Sequence, residues 1–340
     1  MLAVVAVGSA LALAAGCSGG SPAGRSSGTA TAGRSTASRL TVAPLTGLPV
    51  ARVAPRPALV VKIENSAAAR PQTGLEGADL VVEELVEGGI TRFAAMFQSR
   101  GTAVVGPVRS VRDVDASIAG PTHGLLAASG GASVVVRRLR RAPVQLMMQS
   151  DPASAYFRSH SRPVPHNLYA RPARLWAHAD AGHRAPPLYL PFAASAAAAS
   201  TADARLSRPA HSVELTFSRG AHPRWTYDAT AGRWLRSEGT TPSRTAAGVR
   251  MSAMTVVVLR VRTRDAGYRD PIGNRVPETV LTGSGALTLF SDGRRVAGTW
   301  HKASRDAGLS LTTSSGQPLL LAPGTTWLEL LPTAGSLSVS

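Results

Sequence analysis

Leu80-Val81-Val82-Glu83-Glu84-Leu85-Val86-Glu87-Gly88-Gly89-Ile90-Thr91-Arg92-Phe93-Ala94-Ala95-Met96-Phe97 reads as two strands joined by a tight turn. Branched and aromatic side chains favour extended chain, and a glycine pair supplies the positive φ that short hairpin turns require. Leu80 to Val86 is one strand and Ile90 to Phe97 its antiparallel partner. Alternation puts Glu83 on one face with Leu85 and Glu87, and Glu84 on the other with Val86. Carboxylates this dense beside Arg92 form either a salt-bridged cleft or a solvated sheet face.

Outward from the hairpin, strands and helices alternate. Ala58 to Ile63 is a strand candidate. Thr102 to Val105 is a short strand that passes through Gly106-Pro107 into a helix capped by Ser110 and running through Ile118. Gly124 to Ala128 repeats the pattern, with Ser129-Gly130-Gly131 opening a helix over Ala132 to Arg140, and Leu139 to Met148 includes a further strand. Such alternation predicts an α/β N-terminal domain with a mixed sheet, over 44–195. The alanine-rich passage Ala193 to Ala204 leads into a smaller, β-rich C-terminal domain, over 205–335. Its strand candidates are His211 to Phe217, Trp225 to Tyr227, Arg233 to Arg236, Thr255 to Arg262, Ala286 to Ser291, Arg294 to Trp300 and Thr326 to Leu330. Asp292-Gly293 and Pro323-Gly324 mark turns. Trp225, Tyr227, Trp234, Trp300 and Trp327 read as core.

The first residues carry a different signal. Leu2 to Val7 and Ala10 to Ala15 make an apolar run too short for a permanent span, ending at Leu13-Ala14-Ala15-Gly16-Cys17. Residues 1–16 read as a lipoprotein signal peptide, cut before Cys17, the one cysteine of the chain. Its thiol is the expected lipidation site. Ala14 stands where such signals usually carry Leu, and no basic residue precedes the apolar run, which points to a start upstream of Met1. Residues 17–43, mostly Ser, Gly, Ala and Thr, read as a flexible linker. The expected location is therefore outside the cell, lipid-anchored to the outer face of the cytoplasmic membrane.

Charge narrows the partners. There are 37 basic residues against 20 acidic, a formal net of +17, and only Lys62 and Lys302 are lysines. A cationic exported body is drawn to anionic lipids or phosphate-bearing envelope polymers. Nucleic acid is not an expected partner, since no zinc finger or aromatic RNA-binding strand is present. No metal is expected, because the histidines lack ligand spacing. No cofactor is expected either, because the glycine turns lack the Gly-Lys-Ser/Thr ending of a nucleotide loop.

The two strand-to-helix junctions are the main site candidates. If their strands are parallel neighbours, both helix starts open at one sheet edge, where backbone amides favour an anion. Arg109, Ser110 and Arg112 then face Ser129, Gly130 and Gly131, with Arg92 and Asn167 completing the ligand set. The alternative has Ser110 merely capping its helix and Arg109 paired internally with Glu83, Glu84 or Glu87. For acid-base chemistry the candidates are Glu84, Glu87 and His166.

Several stretches carry a resemblance. They include Pro44-Leu45-Thr46-Gly47-Leu48, Arg70-Pro71-Gln72-Thr73-Gly74-Leu75 and Glu87-Gly88-Gly89-Ile90-Thr91-Arg92-Phe93. Gly106-Pro107-Val108-Arg109-Ser110-Val111-Arg112, Pro165-His166-Asn167-Leu168-Tyr169 and Pro323-Gly324-Thr325-Thr326-Trp327 continue it. From Pro44 to Pro332 the chain resembles the YerB-like family of bacterial lipoproteins, a two-domain family of unknown function. Thr255 and Pro242-Ser243 depart from its pattern. The resemblance implies an envelope lipoprotein with an α/β and a β-rich part, and a link to peptidoglycan assembly or its synthases.

The reading that joins these observations is a non-catalytic cell-envelope lipoprotein. It binds an anionic ligand (a phosphate-bearing polymer or a lipid-linked, pyrophosphate-bearing precursor), a cell-wall synthesis protein, or both. Two alternatives stand beside it: a transferase or hydrolase acting on cell-wall precursors, and a protein-interaction lipoprotein with no small ligand.

Overall fold

A computed structural model describes residues 41–340 apart from Pro271. The expected signal peptide, Cys17 and the expected linker as far as residue 40 lie outside the described residues.

The hairpin is at the centre of the fold. Strands β1 (Leu59–Glu64), β2 (Leu80–Leu85) and β3 (Thr91–Phe97) pair antiparallel through β3, with Glu84 opposite Arg92 and Glu64 opposite the same arginine. A short 3-10 turn over Glu87–Gly89 joins β2 to β3, with Gly88 at φ 71°. Helix α1 spans Asp115–Ala119, β4 Leu125–Ala128, α2 Ser133–Leu139 and β5 Gln145–Met148. Strands β4 and β5 add in parallel beyond β1. A separate hairpin of β6 (Tyr156–Arg158) and β7 (Leu168–Ala170) precedes α3 (Pro172–Ala177).

After Ala193 to Ala204, which holds two 3-10 turns, the chain is nearly all strand. In order come β8 (Arg208–Pro209), β9 (Ser212–Thr216), β10 (Pro223–Asp228), β11 (Arg233–Glu238), β12 (Thr241–Pro242) and β13 (Ser252–Ala253). Then follow β14 (Thr255–Arg269), β15 (Arg275–Val280), β16 (Gly283–Ser291), β17 (Arg294–Lys302), β18 (Ser310–Thr312), β19 (Thr326–Pro332) and β20 (Ser336–Val339). The N-terminal region is thus mixed α/β and the smaller C-terminal region β-rich. Every C-terminal strand expected from the sequence is present. Asp292 and Gly293, at φ 50° and 64°, make the tight turn between β16 and β17 that their residue types favour.

The two regions share one sheet, ordered β18-β17-β16-β14-β19-β2-β3-β1-β4-β5, with β15 on β14 and β8 on β17. Strand β19 lies between β14 and β2, parallel to both. A second sheet, β12-β11-β10-β9-β20 with β13 on β11, covers one face. There Phe93, Trp327 and Phe290 meet Trp225 and Trp234, with edge-to-face contacts at 5.2 to 5.5 Å. Against the other face, Leu80, Val82, Met96 and Ala128 pack with Val114, Ile118, Val135 and Leu139 of the helical segments. Each such large side chain contributes roughly 1.5–3 kcal/mol by leaving water. Four of the five expected core aromatics are buried; Tyr227 is half-buried and donates to Asp292 Oδ1.

Two local expectations differ. Thr102 to Val105 joins no ladder: Val105 bridges only Ala170, and Gly106 only Thr73. The helix begins at Asp115, not at Ser110, because residues 109–111 are bonded sideways to neighbouring chain and it is Asp115, not Ser110, that accepts from Arg112 N–H. Arg109 N–H donates to Lys62 O, Val111 N–H to Gly130 O, and Arg112 N–H to Asp115 Oδ2. No helix among the described residues is long and apolar enough to cross a membrane.

Candidate functional site

The end of β1 and the turn of the hairpin gather most of the residues singled out from the sequence. Alternation along β1 sends Lys62 and Glu64 to the face opposite Val61 and Ile63, and the register places Arg92 opposite both Glu64 and Glu84. The segment 109–111 runs alongside Ser129-Gly130, with Ser129 N–H donating to Arg109 O at 3.0 Å and Val111 N–H to Gly130 O at 2.9 Å. Arg109, Ser110, Ser129, Gly130 and Gly131 therefore do meet, although through irregular chain and not at two parallel strand ends. Gly131 is needed there, since a Cβ would lie 2.7 Å from Val111 Cγ2. At Gly130 a Cβ would meet open space.

Acids thread through these cations. Arg92 Nη2 lies 2.7 Å from Glu87 Oε1, and Arg112 grips both oxygens of the same carboxylate, with Nε at 2.8 Å from Oε2. Burial works against the Glu87 charge, but the Arg112 fork and Arg92 prevail and hold its carboxyl down at about 2. Burial, with Arg112 close by, brings Arg92 down to about 10. Glu87 thus joins the side of Glu84, not Glu83, because the chain leaves the strand at Leu85 and alternation stops there. Glu64 is a second hub. Its Oε1 meets His166 Nδ1 at 2.9 Å and Ser66 Oγ at 2.8 Å, and its Oε2 lies 3.4 Å from Arg109 Nε.

Beneath them sits Lys62, fully buried. Its ammonium bridges Glu84 and Asp115, the latter at 2.8 Å. Burial disfavours that charge, yet Asp115 and Glu84 outweigh it and hold Lys62 above the ordinary lysine value. Burial pushes Glu84 up to about 7, with Lys62 pulling the other way. Glu84 is closed off from solvent, and Glu87 is committed to two arginines. Neither is presented to a substrate.

Asn167 lies next to His166 but turns away: its Oδ1 accepts from Arg158 at 2.8 Å and its Nδ2 donates to Ser159 O. It shapes the loop whose Arg162 docks on Pro71 O at 2.7 Å. Arg109 is the least committed cation of the group. Its side chain is 25% exposed, its one ionic neighbour is Glu64, and its guanidinium makes no hydrogen bond among the described residues. That partner is Glu64, where the sequence offered Glu83, Glu84 or Glu87.

The opposite face holds a group that sequence reasoning missed. Glu83 of β2 and Glu329 of β19 pair in register, both fully buried, and Arg236 of β11 reaches Glu83 at 2.9 Å and Glu238 at 3.0 Å. Trp225 Nε1 donates to Glu329 Oε1 at 2.7 Å. Burial, then the neighbouring Glu83, raises Glu329 well above the carboxylate range. One guanidinium faces three carboxyls, and Glu329 is the one that it does not pair with. Charges inside otherwise apolar runs, Lys62 after Leu59-Val60-Val61 and Glu329 within Trp327 to Leu331, were the available signal. Among the described residues no three His, Cys, Asp or Glu side chains are grouped to hold a metal ion.

Residues 45–185 match the family described as "Protein of unknown function (DUF3048) N-terminal domain", and residues 213–328 its C-terminal domain. The chain belongs to this family. A Bacillus subtilis (strain 168) member named "Putative lipoprotein YerB" is 28% identical over 297 residues, 85% of each chain. The crystal structure of the YerB protein from Bacillus subtilis superposes with a TM-score of 0.71 at 25% identity, covering 88% of this chain and 99% of that one. The family's description states no activity, so a functional reading of this member rests on its own residues.

Proposed function

We propose that the protein is an extracytoplasmic lipoprotein, tethered through Cys17, that binds an anionic envelope group without chemically altering it. The similarity to a relative named as a lipoprotein supports an envelope location. The observation that carries the binding reading is Arg109, a partly exposed guanidinium without a hydrogen bond; the next residue, Ser110, has its hydroxyl 3.4 Å from that of Ser129. A planar fork with free donors suits phosphate or carboxylate oxygens. Arg92 donates to Ser110 O, and both Arg92 and Arg112 are tied to the one carboxylate of Glu87. A phosphate-bearing polymer or a lipid-linked pyrophosphate fits this chemistry, and a cell-wall synthesis protein could deliver or receive it.

Titration of the full chain with inorganic pyrophosphate and with a glycerol-phosphate polymer tests the site. Arg109→Ala is expected to weaken binding several-fold with thermal unfolding unchanged. Binding that survives Arg109→Ala intact refutes the site. The tether has its own test: Cys17→Ser should move the protein from the membrane to the soluble fraction.

A further inference from the structure

At the other end of β2, where it begins beside the start of β19, a cleft of about 250 Å³ opens toward the β11–β13 edge of the second sheet. Three arginines line it: Arg100, Arg233 and Arg250, the last with its guanidinium donating to Arg236 O, Ser243 O and Ser237 Oγ. Two carboxylates accompany them. Asp79 is occupied by the Gln98 and Ser99 N–H groups at 2.7 and 2.8 Å, and Glu76 is exposed. The lining is left with one positive charge in excess.

A second observation is independent of the arginines. Thr245, Thr326 and Trp327 are among the lining residues and at most 4% exposed, and Thr245 Oγ1, Thr326 Oγ1 and Trp327 Nε1 have no hydrogen-bond partner. Buried polar groups are nearly always paired. An indole N–H can only donate, so Trp327 is satisfied only by an acceptor brought against it. Leu75, Val249 and Met251 supply an apolar wall. Burial and then the nearby Arg100 both lower Arg233, which has no carboxylate partner of its own among the described residues.

We propose that this cleft binds a small carboxylate with an aliphatic body, such as the free C-terminal residue of a short peptide. The single excess charge matches a monoanion, the guanidinium forks match a carboxylate, and the apolar wall takes the aliphatic group. The site shares no residue with the Arg109 rim and stands or falls separately.

The test titrates the full chain with N-acetylalanine, its carboxamide and inorganic phosphate. The readout is the indole N–H resonance of Trp327, identified by its loss in Trp327→Phe. N-acetylalanine should shift that resonance saturably, and the carboxamide should bind at least tenfold more weakly. Arg233→Gln should weaken the carboxylate about tenfold or more, while Arg109→Ala leaves it unchanged. Arg233 also ties Ser252 and Thr325. Should its variant fail to fold, Arg100→Gln, whose side chain is 52% exposed, reads the same loss. Equal binding of acid and amide, tighter binding of phosphate, or no saturable shift would each overturn the proposal.

Discussion

Replacing Lys62 with Met keeps the length of the side chain and removes the one cation that Glu84 and Asp115 share inside the fold. All three are fully buried, so water cannot take over the role of the ammonium. Breaking a buried pair by removing one partner typically costs about 3–5 kcal/mol, because the remaining charge is left uncompensated. For a body of this size, about 2 °C per kcal/mol places the loss at about 6–10 °C in Tm. The loss should also depend on pH, and the sign follows from Glu84. Its folded value, about 7, lies above its ordinary value of 4.5. Protonated Glu84 needs no cation, so at pH 5.5 only Asp115 is left stranded. Above pH 7 the ionised carboxylate needs Lys62 as well, and the variant must either bury it bare or hold on to a proton. Thermal unfolding followed by circular dichroism at pH 5.5 and 8.5 should show the larger deficit at the higher pH. The double variant Lys62→Met/Glu84→Gln should lose that pH dependence. A Lys62→Met deficit that is equal at both pH values, or a dependence that persists in the double variant, would refute the shared-cation reasoning.

Other expectations follow from the same networks. Glu87→Gln removes the carboxylate between Arg92 and Arg112 and should cost about 2–4 kcal/mol in urea unfolding at neutral pH. Because Glu87 sits at about 2, below its ordinary 4.5, its contribution is present above about pH 4.5 and lost as pH falls toward 2, so the two proteins should converge in acid. Glu329→Gln replaces a carboxyl whose charge burial disfavours with a neutral isostere that can still accept from Trp225. It should raise Tm a little at pH 5.5, already above the ordinary value of 4.5, and more at pH 8.5; a Tm falling at both would contradict a raised Glu329. Glu83→Gln, by contrast, removes the anion nearest Arg236 and should destabilise by about 3 kcal/mol or more at neutral pH, read by the same melts.

The hairpin over 80–97 was legible because its signals are local: branched residues on both sides of a glycine pair that can take positive φ. The same holds for Asp292-Gly293 and for the C-terminal strands, which are rich in branched and aromatic residues. Ser110 shows where local reading stops. It has the residue type of a helix cap, yet its neighbours donate across to Lys62 and Gly130, and a tertiary contact overrode the local preference. Sequence also gathered Arg92, Arg109, Arg112 and Glu87 into one neighbourhood, but not the choice of Glu64 for Arg109. That choice depends on where the end of β1 lies relative to a segment far along the chain. The arginine cleft was invisible for the same reason: Arg100, Arg233 and Arg250 become neighbours only after β19 docks beside β2.

That docking shapes how the protein can be assembled. Glu83 and Glu329 lie far apart along the chain, yet they stand side by side in the middle of the sheet. Pairing so distant in sequence forms slowly, since a long loop must close before any contact rewards it. A chain emerging from a ribosome or a membrane pore can make the 80–97 hairpin early, but one long edge of it stays bare until the segment after residue 325 arrives. Until then β2 is an open template, and a truncated product would offer that edge to other chains.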